Sequence, residues 1–165
     1  ATLGTSMKGI PEMDLILWRH AEAHEATAGG DDLARTLTLR GEKQAARMAI
    51  WLNRQLPHNT QIWVSPAQRT VQTAAALGRN YAVHSALAPN QSAAQLLHSV
   101  QWPSATGVVL VVGHQPTLGQ VIAQVLNLKA SDCSVKKGAV WWLRYRQRED
   151  ASHTVVVTVQ SPELL

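Results

Sequence analysis

No charged residue occurs between Asn80 and Leu128, a stretch of 49 residues in a chain of 165. At the chain's charged fraction of 16% it would carry about eight. A segment so free of charge has to be buried, in a bilayer or in a protein core. The bilayer is excluded, because His84, Pro89, Asn90, Gln91, His98, Pro103 and His114 interrupt the stretch. Its longest purely apolar run, Val108 to Val112, falls far short of the roughly 20 residues a spanning helix requires. The stretch therefore reads as strands and helices at the middle of a globular core.

Strand and helix signals alternate along the chain. Met13 to Trp18 and Gly107 to Val112 are apolar runs suited to strands buried on both faces, Gln61 to Val64 is another strand, and Tyr81 to Val83 a weaker one. Thr38 precedes a helix with Ala45, Met48, Ala49, Leu52 and Leu56 on one face, closed by Pro57. Ser65-Pro66 offers an N-cap and a first-turn proline for a second helix that Gly78 can end. Asn90 to Val100 reads as a third helix, and Pro116 opens a fourth whose inward stripe is Leu118, Val121, Ile122 and Val125. The polar segment Ala21 to Leu37 reads as a loop. Ala139 to Arg146 and Thr154 to Val159 form a hairpin through Arg148 to Ser152.

The expected fold is α/β, a three-layer sandwich with a mostly parallel central sheet, helices on both faces and the C-terminal hairpin at one edge. Residues 13–165 form one domain, and residues 1–12 are set aside as an N-terminal tail. With 45% apolar residues the chain can build a real core, so disorder is excluded. The single cysteine, Cys133, excludes an internal disulfide and a cysteine-rich zinc site. No apolar run of signal-peptide length opens the chain, so a soluble cytoplasmic protein is expected. A net charge of +4 suits an anionic partner without selecting one.

In an open parallel sheet the ligand site lies beyond the carboxyl ends of the strands. The first strand there delivers Arg19 and His20, the helix after the second delivers Arg69, and the valine-rich strand delivers His114. Two guanidiniums, two imidazoles and two helix N-termini, with no carboxylate in those segments, suit a phosphoryl group. The arginine fork matches phosphate oxygens and helix N-termini add donors.

The segments Leu17-Trp-Arg-His-Ala-Glu22, Val64-Ser-Pro-Ala-Gln-Arg-Thr-Val-Gln-Thr73 and Val112-Gly-His-Gln-Pro116 resemble the histidine phosphatase superfamily and its RHG signature. The short length, the Leu37-Thr-Leu-Arg-Gly41 element and the lack of an inserted cap resemble its phosphohistidine phosphatase SixA branch. The resemblance runs from Met13 to the end of the chain. It implies that His20 is the nucleophile, that Arg19 and Arg69 bind phosphate, and that His114 touches the phosphoryl oxygens. Arg35 matches a basic residue common in that branch, and Glu22 is placed to orient a group or a water.

Two departures stand out. Ala21 replaces the glycine that usually follows the histidine, and Leu87-Ala-Pro-Asn-Gln-Ser-Ala93 lacks the carboxylate that many superfamily members use as a general acid. An alkoxide leaves poorly without a proton donor, whereas imidazole leaving from phosphorus needs less help. The expectation is thus a monomeric, metal- and cofactor-independent phosphatase acting on a phosphohistidine protein of a phosphorelay, with small phosphomonoesters as runner-up substrates.

Two rival readings use other residues. His20, His24 and His114 could form a zinc site, although the spacing is not the His-Glu-x-x-His pattern and leaves both arginines unexplained. The cluster Lys136, Lys137, Arg144, Arg146 and Arg148 could mark a non-catalytic module binding nucleic acid or a phosphoprotein. The preferred explanation is a solvated strand face with protective edge charge, and neither nucleic acid nor membrane is expected as partner. Trp18 and Trp102 are candidates to line the cleft.

Overall fold

The computed structural model describes residues 12–148 and 150–165. Of the expected tail, residues 1–11 lie outside that range, and Glu12 instead opens the first strand. Six strands form one sheet: β1 (Glu12–Arg19), β2 (Gln61–Val64), β3 (Ala82–Val83), β4 (Gly107–Gly113), β5 (Val140–Gln147) and β6 (Ser152–Gln160), in the order β3-β2-β4-β1-β5-β6. The first four in that order are parallel, and β5 and β6 are antiparallel. The expected sandwich and terminal hairpin are therefore present.

Alternation along the two central strands builds a core on each side. Leu15 and Leu17 of β1 and Val109 and Val111 of β4 face the helices α3 (Ala93–Ser99) and α4 (Thr117–Val125), meeting Leu96, Leu97, Leu118, Val121 and Ile122. Ile16 and Trp18 of β1 and Leu110 and Val112 of β4 face the opposite side. There they meet Met48, Ala49 and Leu52 of α1 (Leu39–Gln55) and Ala74 of α2 (Gln68–Ala75). A strand with both faces covered needs apolar side chains along its length, which is why β4 carries no charge. Full burial of one such side chain, Leu110 for example, stabilises by about 2–3 kcal/mol.

The termini of the helices differ in detail from expectation. Thr38 caps α1 as anticipated, accepting from the Gly41 amide at 3.0 Å. Helix α2 begins two residues later than Pro66 suggests, because the Ser65 hydroxyl is engaged elsewhere and Ala67 takes the cap position. Helix α3 is shorter than Asn90 to Val100: Asn90 adopts a left-handed backbone with φ 70°, and Ser92 caps the helix through the Gln95 amide. Pro116 sits at the cap of α4.

Two further expectations are corrected. Trp18 is fully buried with its indole Nε1 donating to the Gly138 carbonyl at 3.0 Å, and Trp102 packs edge-on against Tyr145, so neither lines the cleft. Nor is β5 an edge carrying solvated charge, since β6 covers it. Arg144 instead grips buried Asp14 through Nε at 2.7 Å and Nη2 at 3.0 Å, and Arg146 pairs with Glu12 at 2.9 Å. The Trp142 indole also donates to Asp14, at 2.9 Å. A carboxylate taken out of water requires such partners.

Candidate active site

Because β1, β2 and β4 are parallel and in register, their carboxyl ends fall side by side, with Arg19 opposite Gly113 and Val64 opposite Val112. The hydrogen-bond ladder continues just past the strand ends: the His20 amide donates to the Gly113 carbonyl at 3.1 Å, and the Ser65 amide to the Val112 carbonyl at 3.1 Å. His20, Arg69 and His114, each brought by a different segment, are buried at this one place. They line a cleft of about 280 Å³ together with Arg19, Arg35, Asp32, Ala23, Pro89, Asn90, Gln115 and Lys137.

The His20 ring is fixed by its Nδ1, 2.7 Å from the Ala21 carbonyl oxygen. A carbonyl only accepts, so Nδ1 carries the proton and Nε2 keeps its lone pair. The Ala21 amide is held in turn by the Thr73 hydroxyl at 3.1 Å. Burial pushes His20 down from 6.5 to about 4, with the positive charges of Arg69 and Arg19 adding to the effect. It is therefore neutral at physiological pH.

His114 lies opposite, with ring centroids 5.3 Å apart and planes inclined by 55°. Its Nε2 is 2.7 Å from the Ser65 hydroxyl, and Nδ1 is buried without a partner. If Ser65 donates to Nε2, the ring proton resides on Nδ1 and that buried atom becomes a donor. The Ser65 oxygen already accepts from the Ala67 amide at 3.3 Å, which favours this assignment. Burial first, then the neighbouring His20, holds His114 at about 3.

The arginines are anchored from behind. Arg19 Nη1 donates to the Val135 carbonyl at 2.8 Å, and Arg69 Nη1 to the Asp32 carbonyl at 2.8 Å. Each leaves its Nε buried and unpartnered. Burial lowers Arg19 from its ordinary value, but a guanidinium stays charged in proteins. Three buried polar atoms, Nε of both arginines and Nδ1 of His114, thus lack partners within the protein. Such groups are costly unless something binds them.

Sequence reasoning missed Asp32. Its carboxylate bonds Arg69 Nη2 at 3.1 Å and Arg35 Nη1 at 3.0 Å, and those partners, Arg35 foremost, hold it below the usual carboxylate range. It comes from the polar loop after His20, outside the strand-end segments expected to carry no carboxylate. The spacing of Asp32 three residues before Arg35 was the available signal. Ser65 was also missed, having been read only as a helix starter.

Glu22 does not line the cleft. Its carboxylate accepts from the Thr38 hydroxyl at 2.7 Å and its amide donates to Gln44 at 2.9 Å. It ties the loop after His20 to the start of α1, where Gly41 packs against the Glu22 carbonyl so closely that no side chain fits. Arg35 does line the cleft, with Nε bound to the His24 carbonyl at 2.7 Å. His24 itself is exposed, and among the described residues no three His, Cys, Asp or Glu side chains gather as a metal-ligating group.

Residues 15–90 match the family model described as histidine phosphatase superfamily (branch 1). Over that part the chain is similar to the histidine phosphatase superfamily. The solved structures similar to it cover nearly the whole chain. A Nakamurella multipartitia protein described as the phosphohistidine phosphatase SixA is 28% identical, with a TM-score of 0.70 over 92% of this chain and 98% of its own. A protein histidine phosphatase SixA complexed with tungstate gives TM-score 0.76 at 22% identity, covering 92% of this chain and 99% of that one. A protein of Agrobacterium tumefaciens described like the first gives 0.74 at 23% identity over 90% and 97%. No curated protein matches. The architecture is SixA-like, and these similarities support a phosphatase-type hydrolase. No helix among the described residues is long and apolar enough to cross a membrane.

Proposed function

We propose that the protein is a phosphohistidine phosphatase, removing the phosphoryl group from a histidine side chain of a protein through a phospho-His20 intermediate. The observation that carries this reading is the ring of buried, unpartnered polar atoms around an imidazole whose Nε2 is left unprotonated. A phosphoryl group supplies what those atoms lack, since its oxygens accept from guanidinium and imidazole donors.

In the first step the lone pair of His20 Nε2 attacks phosphorus as the bond to the substrate imidazole breaks. The departing nitrogen takes its proton from solvent. In the second, water attacks phosphorus, the bond to His20 breaks, and inorganic phosphate leaves with His20 returned to its neutral form. Arg19, Arg69 and His114 stabilise charge on the equatorial oxygens, which is where most of the catalytic effect in phosphoryl transfer resides. Arg35 adds positive charge at the rim.

The choice of a phosphoramidate over a phosphoester rests on proton supply. The segment that carries a general acid in many superfamily members contributes only Pro89 and Asn90 to the cleft. The carboxylate that does line it, Asp32, is held in its ionised form by Arg35 and Arg69 and is a poor acid. An alkoxide leaving group would lack a donor, and an imidazole does not need one as strongly.

The test is phosphate release from a phosphohistidine peptide and from a matched phosphoserine peptide by the wild type and by His20→Ala. The expected result is turnover of the phosphohistidine peptide alone, lowered by about a thousandfold or more in the variant. Equal turnover of the two peptides, or full activity without His20, would overturn the proposal.

A further inference from the structure

The basic cluster seen in the sequence divides in the folded protein. Arg144 and Arg146 are neutralised by Asp14 and Glu12, whereas Lys136 and Lys137 stay exposed. Arg40, Lys43 and Arg47 lie three and four residues apart on α1, which aligns them on one helix face, and all three are exposed. With Gln44, Pro162 and Glu163 they line a shallow depression of about 200 Å³.

This depression is connected to the catalytic cleft through Gln44 and Gly138. Gln44 lines the depression while its side chain accepts from the Glu22 amide, two residues beyond His20. Gly138 donates its amide to the His20 carbonyl at 3.0 Å and packs against Gln44 and Pro162. Lys137, the residue before it, lines the cleft itself. Positive charge thus stands both at the cleft, on Lys137, and on the outer face of α1, with Gly138 and Gln44 between them.

None of the five cations forms an ion pair among the described residues. Carboxylates near these cations are Glu163 in the depression, Glu42 in the first turn of α1 and Glu22, which accepts from Thr38 at its cap. Elsewhere in the cleft lining, the carboxylate of Asp32 is already offset by Arg35 and Arg69.

We propose that Arg40, Lys43, Arg47, Lys136 and Lys137 form a docking surface for an acidic protein segment flanking the phosphohistidine. The proposal rests on the phosphohistidine reading and adds what recognises the substrate beyond its phosphoryl group. Exposed charges of this kind contribute little binding energy singly, but together they steer encounter and lower KM. An acidic protein fits better than nucleic acid, because the surface includes Lys137 of the catalytic cleft and carries no aromatic residue on which bases would stack.

The experiment uses three substrates: a phosphohistidine peptide with glutamate flanks, the same peptide with glutamine flanks, and phosphoimidazole. The wild type is expected to show a KM about tenfold lower for the glutamate peptide, an advantage that shrinks as salt rises. Arg40→Glu/Lys43→Glu is expected to lose that advantage while hydrolysing phosphoimidazole within about twofold of wild type. Equal KM values for the two peptides in the wild type, or an advantage that survives in the variant, would overturn the proposal. So would a labelled RNA oligonucleotide that binds the wild type more tightly than the glutamate peptide and releases in the variant. Failure of the wild type to hydrolyse even phosphoimidazole would instead refute the phosphohistidine reading.

Discussion

Lowering the pH tests whether two imidazoles are buried neutral at the heart of the site. In the unfolded chain each titrates near 6.5, while in the folded protein His20 titrates at about 4 and His114 at about 3. Both shifts are downward, so the unfolded chain binds the protons first and stability is highest above 6.5. It falls as pH drops below that value and levels off only below the folded values. At pH 5 each imidazole is almost fully protonated when unfolded and almost fully neutral when folded, a loss of about 2 kcal/mol per site. The pair together contributes a loss of about 4 kcal/mol between pH 7.5 and pH 5. The assay is urea unfolding at both pH values in phosphate-free buffer, since a bound anion would pull the imidazoles back up. The reference is His20→Gln/His114→Gln, which keeps every other titrating group. The wild type should lose about 4 kcal/mol more than the double variant. Equal losses, within about 0.5 kcal/mol, would refute the reasoning.

Asp32 occupies the guanidiniums that an oxyanion would claim, at 3.1 Å from Arg69 and 3.0 Å from Arg35. Asp32→Asn should tighten inorganic phosphate binding about fivefold by calorimetry, a small gain because the carboxylate is half exposed and screened; unchanged or weaker binding would show that it positions the arginines instead. Ser65→Ala removes the hydroxyl 2.7 Å from His114 Nε2 and with it the control of the ring proton. It should lower kcat about tenfold with KM little changed, and an unaltered kcat would remove Ser65 from the reaction.

Much of the fold was legible because strands buried on both faces leave a compositional trace. Charge vanishes from β4 and the helices beside it, and the period of the apolar residues separates α1 from the strand before it. The ends of the elements were read less well, because caps respond to tertiary partners. Ser65 looks like a helix cap in isolation, yet in the fold its hydroxyl is turned to His114 across 49 positions of sequence. Asn90 looks like the start of a helix, yet it takes a left-handed backbone that ends the preceding loop.

The sequence by itself determined which groups stand at the strand ends, since a residue following a buried parallel strand has only one edge of the sheet to occupy. Arg19, His20, Arg69 and His114 follow from that rule. Tertiary structure alone decided how charges pair across the chain. It placed Asp32 against two arginines, turned Glu22 away toward Thr38, silenced Arg144 and Arg146 with Asp14 and Glu12, and brought Gly138, next to Lys137, against Gln44 of α1. Periodicity along the chain records which side of an element is buried. It holds no record of which distant loop arrives at that side, and electrostatics depends on that arrival.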